Sequence, residues 1–282
     1  LQEIQLSYLL RKATAPSQNN IYVDFGQFKL PIGYEGDLVS SGALPLIERA
    51  LLFRARDVNG GGNGDVRDTG IQLRGTQGQF DYRLGIFNGL GERQNAQAQG
   101  DPKAIVARLL YRPKGIDGLQ LGASFGRGNT RVAPTTSGGA TTRFDREIYN
   151  AFAVYKKDKW TFQGEYVTGK GQNLTATGAA GRERDFQGYY AHAGYLFSPK
   201  IEGVLRYDTF NFDRNISDAA VKEISAGLNY FIKGNNAKIQ ANIVRVQGGR
   251  GLTSANGFGS GSQGQGFQND RTELRLQGQV GF

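Results

Sequence analysis

The sequence predicts an all-β protein, a transmembrane antiparallel β-barrel, and three observations lead there. Period-two alternation of apolar and polar residues recurs in thirteen segments. Most of these are longer than the ~5–6 residues usual for a soluble strand and match the ~9–11 residues that cross a bilayer at a tilt. The connections alternate between short and long, as they do in outer-membrane barrels with tight turns on one side and large loops on the other.

In order, the strand segments are Ile4–Lys12, Asn20–Phe28, Arg67–Thr76, Phe80–Asn88, Lys103–Arg112, Gly118–Arg127, Ile148–Lys156, Lys159–Thr168, Gln187–Phe197, Lys200–Phe210, Val221–Ile232, Ala237–Val246 and Arg271–Phe282. Short turns fall at 77–78, 113–117, 157–158, 198–199 and 233–236. Long Gly-, Ser-, Thr- and Asn-rich connections fall at 89–102, 128–147, 169–186, 211–220 and 247–270. The last segment sorts cleanly, with Leu274, Leu276, Gly278, Val280 and Phe282 on a lipid-compatible face and Glu273, Arg275, Gln277 and Gln279 on a wet one. The segment from Leu119 and that from Ile201 sort the same way. Ile148–Lys156 is ambiguous between its faces, and the broken alternation at Val244–Arg245 predicts a bulge. Tyr8, Tyr82, Tyr111, Trp160, Tyr166, Tyr195 and Tyr230 near strand ends suit interfacial girdles.

Composition excludes several alternatives. No run approaches the ~18 apolar residues of a transmembrane helix, and a negative mean hydropathy says nothing against a barrel that is apolar on one face only. The chain has 282 residues and no Cys, so thiol chemistry and disulfides are out. One histidine, His192, cannot make a multi-histidine metal site, and it reads as a hydrogen-bonding side chain of the lumen. Neither cofactor nor metal is expected. Net charge is +9, but bases and acids are scattered without a Lys/Arg block, so nucleic acid is not an expected partner. No GK[ST] follows the glycines at 60–64, so they are loop slack rather than a phosphate cradle.

The longest gap between strands, residues 30–66, is the functional candidate, because a gap of that size within a compact domain is usually functional or disordered. Leu44–Arg56 within it has the residues for about three helical turns, and the whole loop is expected to fold into the barrel and narrow it. GQFKLPIGYE (Gly26–Glu35), the serine pair Ser40–Ser41, IER (Ile47–Arg49), GIQLRG, DYRLGIFNG (Asp81–Gly89) and GEYV (Gly164–Val167) together resemble the phosphate-selective porin O and P family. The resemblance implies a sixteen-stranded porin of the bacterial outer membrane, commonly a homotrimer, whose third external loop folds inward as a constriction. About thirteen of those strands are then expected in this chain, which would be one barrel domain over 1–282, lacking its N-terminal strands. Lipid and lipopolysaccharide would surround it.

A pore selects by rings of charge and by constriction. The predicted constriction residues are Ser40, Ser41, Arg49, Arg54 and Arg56; alternation adds Arg74, Arg83, Arg108, Arg112, Arg206 and Arg275 to the lumen wall, with Arg11 and Lys238. Arginine stays charged and holds planar oxyanions through paired hydrogen bonds, so small anionic solutes such as phosphate are the expected cargo. Lumen acids oppose them: Asp24, Asp81, Glu165, Glu202, Asp208, Glu223 and Glu273. The resemblance also implies a lysine at the position of Asp37, three residues before Ser40. A carboxylate there would repel a nearby anion by ~1 kcal/mol or more. No nucleophile, base and orienting group come together in sequence, so an enzyme is not expected. The competing expectations are a plugged or adhesive outer-membrane barrel, separated from a porin by conductance, and a soluble carbohydrate-binding β-protein, separated by detergent dependence.

Overall fold

A computed structural model of the chain describes residues 3–14, 19–54, 66–90, 103–132, 142–172, 183–253 and 267–281. It contains a single 13-stranded sheet in which every strand pairs with its sequence neighbours. The strands are β1 (Ile4–Arg11), β2 (Ile21–Lys29), β3 (Arg67–Gln77), β4 (Phe80–Phe87), β5 (Ala104–Tyr111), β6 (Leu119–Val132), β7 (Thr142–Lys157), β8 (Trp160–Gln172), β9 (Glu183–Ser198), β10 (Ile201–Asn211), β11 (Ala220–Lys233), β12 (Ala237–Gln247) and β13 (Arg271–Val280). All pairs are antiparallel, the pattern that short hairpins allow. Phe282, Arg56, the glycines at 60–64 and parts of four of the five long connections (91–102, 133–141, 173–182 and 254–266) lie outside the described residues.

The sheet curls around the segment after β2. Leu44 packs in one cluster with Leu110 of β5 while its carbonyl accepts a hydrogen bond from Lys238 Nζ of β12 at 2.7 Å. In a flat sheet those strands would lie roughly 34 Å apart. Only a barrel-like curl brings both to one residue.

Alternation explains the faces. Leu84, Leu109, Leu205, Leu228, Ile243 and Leu274 are exposed on the outside, a continuous apolar belt far beyond the few hundred Å² that a soluble monomer tolerates. Such a belt needs lipid. The inner face departs from the expected uniform wetness. Phe28, Val106, Ile148, Val167, Phe186, Phe210, Val221, Val244 and Val246 point inward and are buried against Leu30, Ile32, Leu51, Leu52 and Phe53 of the inserted segment. This apolar lumen patch resolves β7, whose Ile148, Asn150, Phe152 and Val154 face in. It also removes the bulge predicted at Val244–Arg245. Both residues keep unbroken register with β11 and β13, and the apparent break is a lumen-facing valine pair with a cover. Register shifts occur instead at Leu9/Arg11, Ile201/Glu202 and Phe231/Lys233.

β6 and β7 run past their predicted ends, pairing Arg127 with Glu147 through Val132 with Thr142. The ladder thus takes in 128–132 and 142–147 of the connection read as 128–147.

Candidate functional site

The inserted segment is anchored almost residue by residue. Glu165 of β8 accepts the backbone N–H groups of Tyr34 and Glu35, both at 2.8 Å, along with Asn150 Nδ2 at 3.2 Å and the Tyr190 hydroxyl at 2.6 Å. Ser124 Oγ accepts the Gly33 N–H at 3.1 Å. Farther along, Gln279 donates to the Gly42 carbonyl at 3.1 Å, Asn242 accepts from Ile47 N–H at 2.8 Å, and Asn229 donates to the Pro45 carbonyl at 2.9 Å. Arg206 donates to the carbonyls of Glu48 and Arg49 at 3.1 and 3.2 Å. The segment therefore crosses the lumen and is held by strands from β5 to β13.

These bonds explain why the predicted three-turn helix over Leu44–Arg56 is reduced to α1 (Leu51–Arg54), preceded by a 3-10 turn at Ser41–Ala43. Wall side chains take the donors and acceptors that an α-helix through 44–50 would use for itself. At the start of α1, Asp208 accepts the Leu51 N–H at 2.7 Å and Glu35 accepts the Ala50 N–H at 3.1 Å. Those are the free donors of a helix N-terminus, satisfied by carboxylates. Leu51, Leu52 and Phe53 are fully buried, each contributing ~1.5–3 kcal/mol to docking.

Gly33 sits at φ +74°, and a Cβ there would lie 2.7 Å from both Glu165 Oε2 and Phe53 Cζ. Only glycine fits that approach. Gly33→Ala is expected to undock the segment while leaving the barrel folded. The check is faster hydrogen exchange over 30–54 with an unchanged heat-modifiable gel shift.

The predicted arginines divide into struts and presented charges. Arg49 is buried, donating to the carbonyls of Glu35 and, at 3.0 Å, Val39; it braces the segment internally. Arg54 bonds Glu223 and the Arg49 carbonyl. Arg206 lies between Glu35 at 3.8 Å and Asp208 at 3.5 Å, with its side chain 2% exposed. Arg108, 1% exposed, bonds Asp37 and reaches Asp81 at 3.2 Å. Arg275 pairs with Glu273 on the inward face of β13. Arg112 is one residue past the end of β5, exposed in the turn, because the ladder with β4 stops at Phe80↔Tyr111. It therefore leaves the predicted lumen-wall set. Lys238 is buried as a strut to Leu44, and Arg11 is exposed on the edge strand β1.

Arg74 and Arg83 remain. Their side chains are 31% and 26% exposed, while their carboxylate partners Asp24 and Asp37 are buried. Arg74 Nε is 2.7 Å from Asp24 Oδ2 and its guanidinium lies over the Tyr22 ring at 4.2 Å; Arg83 Nη1 is 3.5 Å from Asp37 Oδ1. Both line a cavity of about 280 Å³ with Asn20, Tyr22, Thr76 and Asp81. Ser40 and Ser41 are exposed, and the Ser40 hydroxyl makes no capping bond. Glu48 is an exposed acid of the same segment.

Asp37, which sequence alone reads as an anion repeller, is instead a loop anchor. Burial pushes its carboxyl above the usual carboxylate range, against the opposing pull of Arg108, Arg83 and Lys29, with Asp81 adding to the rise. The docked segment thus binds this proton more tightly than a free one. That contribution to docking is present at low pH and is lost as pH rises through the raised value. Protonation also removes the carboxylate charge beside Arg83, the partly exposed guanidinium of the pair. Anion selectivity is expected to climb on acidification above the ordinary aspartate range, and Asp37→Asn should lack that step in a reversal-potential titration.

Glu165, Asp208, Asn229, Gln240 and Asn242 are site residues that sequence reasoning missed as anchors. The available signal was a polar lumen residue amid inward apolar ones. His192, expected as a hydrogen-bonding side chain of the lumen, is buried, and its Nε2 makes no hydrogen bond among the described residues.

Solved structures share the fold. The anion-selective porin from Comamonas acidovorans matches at TM-score 0.58 and 16% identity over 82% of this chain and 67% of its own. The outer-membrane channel DcaP of Acinetobacter baumannii matches at 0.53 and 13% over 84% and 71%. OmpF of Salmonella typhi, in complex with daunomycin, matches at 0.56 and 14% over 79% and 66%. The chain thus spans about two-thirds of the length of these structures. No curated protein matches by sequence. The model of the phosphate-selective porin O and P family matches residues 6–257, and the chain belongs to that family, porins of the bacterial outer membrane.

Proposed function

We propose that the chain forms a channel for passive diffusion of small hydrophilic solutes, biased to anions such as phosphate. The observation that carries this reading is the division among the arginines. The arginines buried against the inserted segment are sealed away, while Arg74 and Arg83 are partly exposed and offer guanidinium donors to lumen water, their carboxylate partners Asp24 and Asp37 being buried in the wall and in the inserted segment respectively. An anion meets donors first, although net charge at each pair is balanced at longer range. The exposed hydroxyls of Ser40 and Ser41 add neutral donors three and four residues beyond Asp37. On this reading residues 1–282 are one barrel domain, residues 30–66 its constriction loop, and the assembly a homotrimer. The reading contains no catalytic step.

A plugged barrel without significant conductance is the second reading, and the packing of α1 against the lumen wall favours it. Planar-bilayer recording separates the two. The porin reading expects current closing in three equal steps, with a reversal potential on the anion side in a KCl gradient. Block by added phosphate would support phosphate preference, whereas indifference would leave a general anion bias. Cation selectivity or silence would overturn the proposal.

A further inference from the structure

We infer that the short-turn end of the barrel carries a lysine collar that binds anionic phospholipid headgroups of the adjoining leaflet. Four consecutive short turns, at 113–118, 157–159, 198–200 and 233–236, hold Lys114, Lys157, Lys159, Lys200 and Lys233 against only Asp117 and Asp158. All five lysines are exposed. The turns are neighbours around the rim: Lys156 N–H donates to the Gly118 carbonyl at 3.0 Å, Leu196 N–H to Lys159 at 2.9 Å and Phe231 N–H to Lys200 at 2.8 Å.

Directly beside these lysines runs a band of exposed apolar and aromatic side chains, including Trp160, Phe197, Tyr230 and Ile232. An aromatic belt at headgroup depth with ammonium groups just beyond it is the arrangement that meets an anionic lipid surface. The opposite end differs. There Arg127 pairs with Glu147 at 3.5 Å, and Lys170 is registered between Glu147 and Asp185. The described residues of that end mix both signs, whereas the short turns carry five lysines against two aspartates; the reach of this charge into solution is about a Debye length, so phosphate groups must sit close to feel it.

The inference rests on membrane insertion and is independent of solute selectivity. Trp160 is the chain's one tryptophan, 48% exposed and registered opposite Lys157, so it reports on lipid at this collar. The full chain is reconstituted in phosphatidylcholine vesicles doped with brominated phosphatidylglycerol or brominated phosphatidylethanolamine, and Trp160 quenching gives the relative association of each. Phosphatidylglycerol, the anionic one, is expected to be favoured about fivefold, as for one lysine at an anionic surface, and the preference should vanish at high salt. In the combined Lys157→Gln, Lys159→Gln, Lys200→Gln and Lys233→Gln variant, with its heat-modifiable gel shift intact, the two lipids should quench equally. Equal quenching in the unmodified protein, or a preference that survives in the variant, would overturn the collar. Quenching by neither lipid would overturn it together with the placement of Trp160 in the bilayer.

Discussion

Glu165→Ala is expected to release the inserted segment and raise single-channel conductance by about a factor of two, with loss of ion selectivity and noisier open levels. The side chain satisfies two successive backbone donors, Tyr34 N–H and Glu35 N–H, inside the lumen. Alanine would leave both buried and unpaired, at ~1–3 kcal/mol each. It would also strand the Tyr190 hydroxyl and Asn150 Nδ2. Those losses fall wholly on the docked state, because an undocked segment recovers its bonds from water. Tyr190→Phe removes one bond to this carboxylate and the one that Gln163 Nε2 donates to the hydroxyl; both segment N–H groups keep their acceptor, so the cost to docking should be only ~1–2 kcal/mol, with conductance almost unchanged. The barrel itself should persist in both variants, since its ladders do not pass through this carboxylate. Bilayer recording paired with hydrogen exchange over 30–54 checks the expectation. Unchanged conductance in Glu165→Ala, with the segment still protected, would mean that packing of Leu51, Leu52 and Phe53 alone holds it.

The strands were legible because a barrel wall has one lipid face, and lipid enforces period two without exception along the belt. β13 shows this: Leu274, Leu276 and Val280 are outward and exposed while Glu273, Arg275 and Gln279 face in. The inner face was legible only in part. Alternation puts Arg206 and Asp208 on the inner face, where both are buried, yet it carries no information on what crosses the lumen to meet them. Val244 and Val246 look like a broken pattern until Leu252 and the inserted segment cover them. The helix over Leu44–Arg56 failed for the same reason: its backbone partners are Lys238, Asn229, Gln240 and Arg206, which come from strands some 160 to 195 residues later. Arg49 and Asp37 carry formal charges that suggest a pore surface. Their burial decides otherwise, and burial here is set by how the segment turns at Gly33 and Gly36, where Cβ atoms would strike Phe53.

Replacing Arg74 and Arg83 together by Glu is expected to reverse the ion preference of the channel, whereas replacing Arg108 or Arg206 should not act chiefly on selectivity. The two presented guanidiniums are 31% and 26% exposed and line one cavity. At the contact distances and intermediate dielectric of a narrow water-filled lumen, each charge is worth ~1 kcal/mol to a passing ion. That is about fivefold per site in favour of anions, and each reversal swings the ratio twice as far. The segment should stay docked, because Asp37 keeps Arg108 and Asp24 keeps Gln72 and Ser7. Arg108→Gln and Arg206→Gln act differently. Each removes a sealed cation and leaves carboxylates buried without their partner, a change worth several kcal/mol against docking. Those variants should raise conductance and hydrogen exchange together, with the reversal potential drifting toward zero but not across it. Reversal potentials in a KCl gradient, read beside exchange rates, separate the two classes. A double Glu variant that stays as anion-selective as the parent would move the selectivity from this wall to the exposed crest at Ser40 and Ser41.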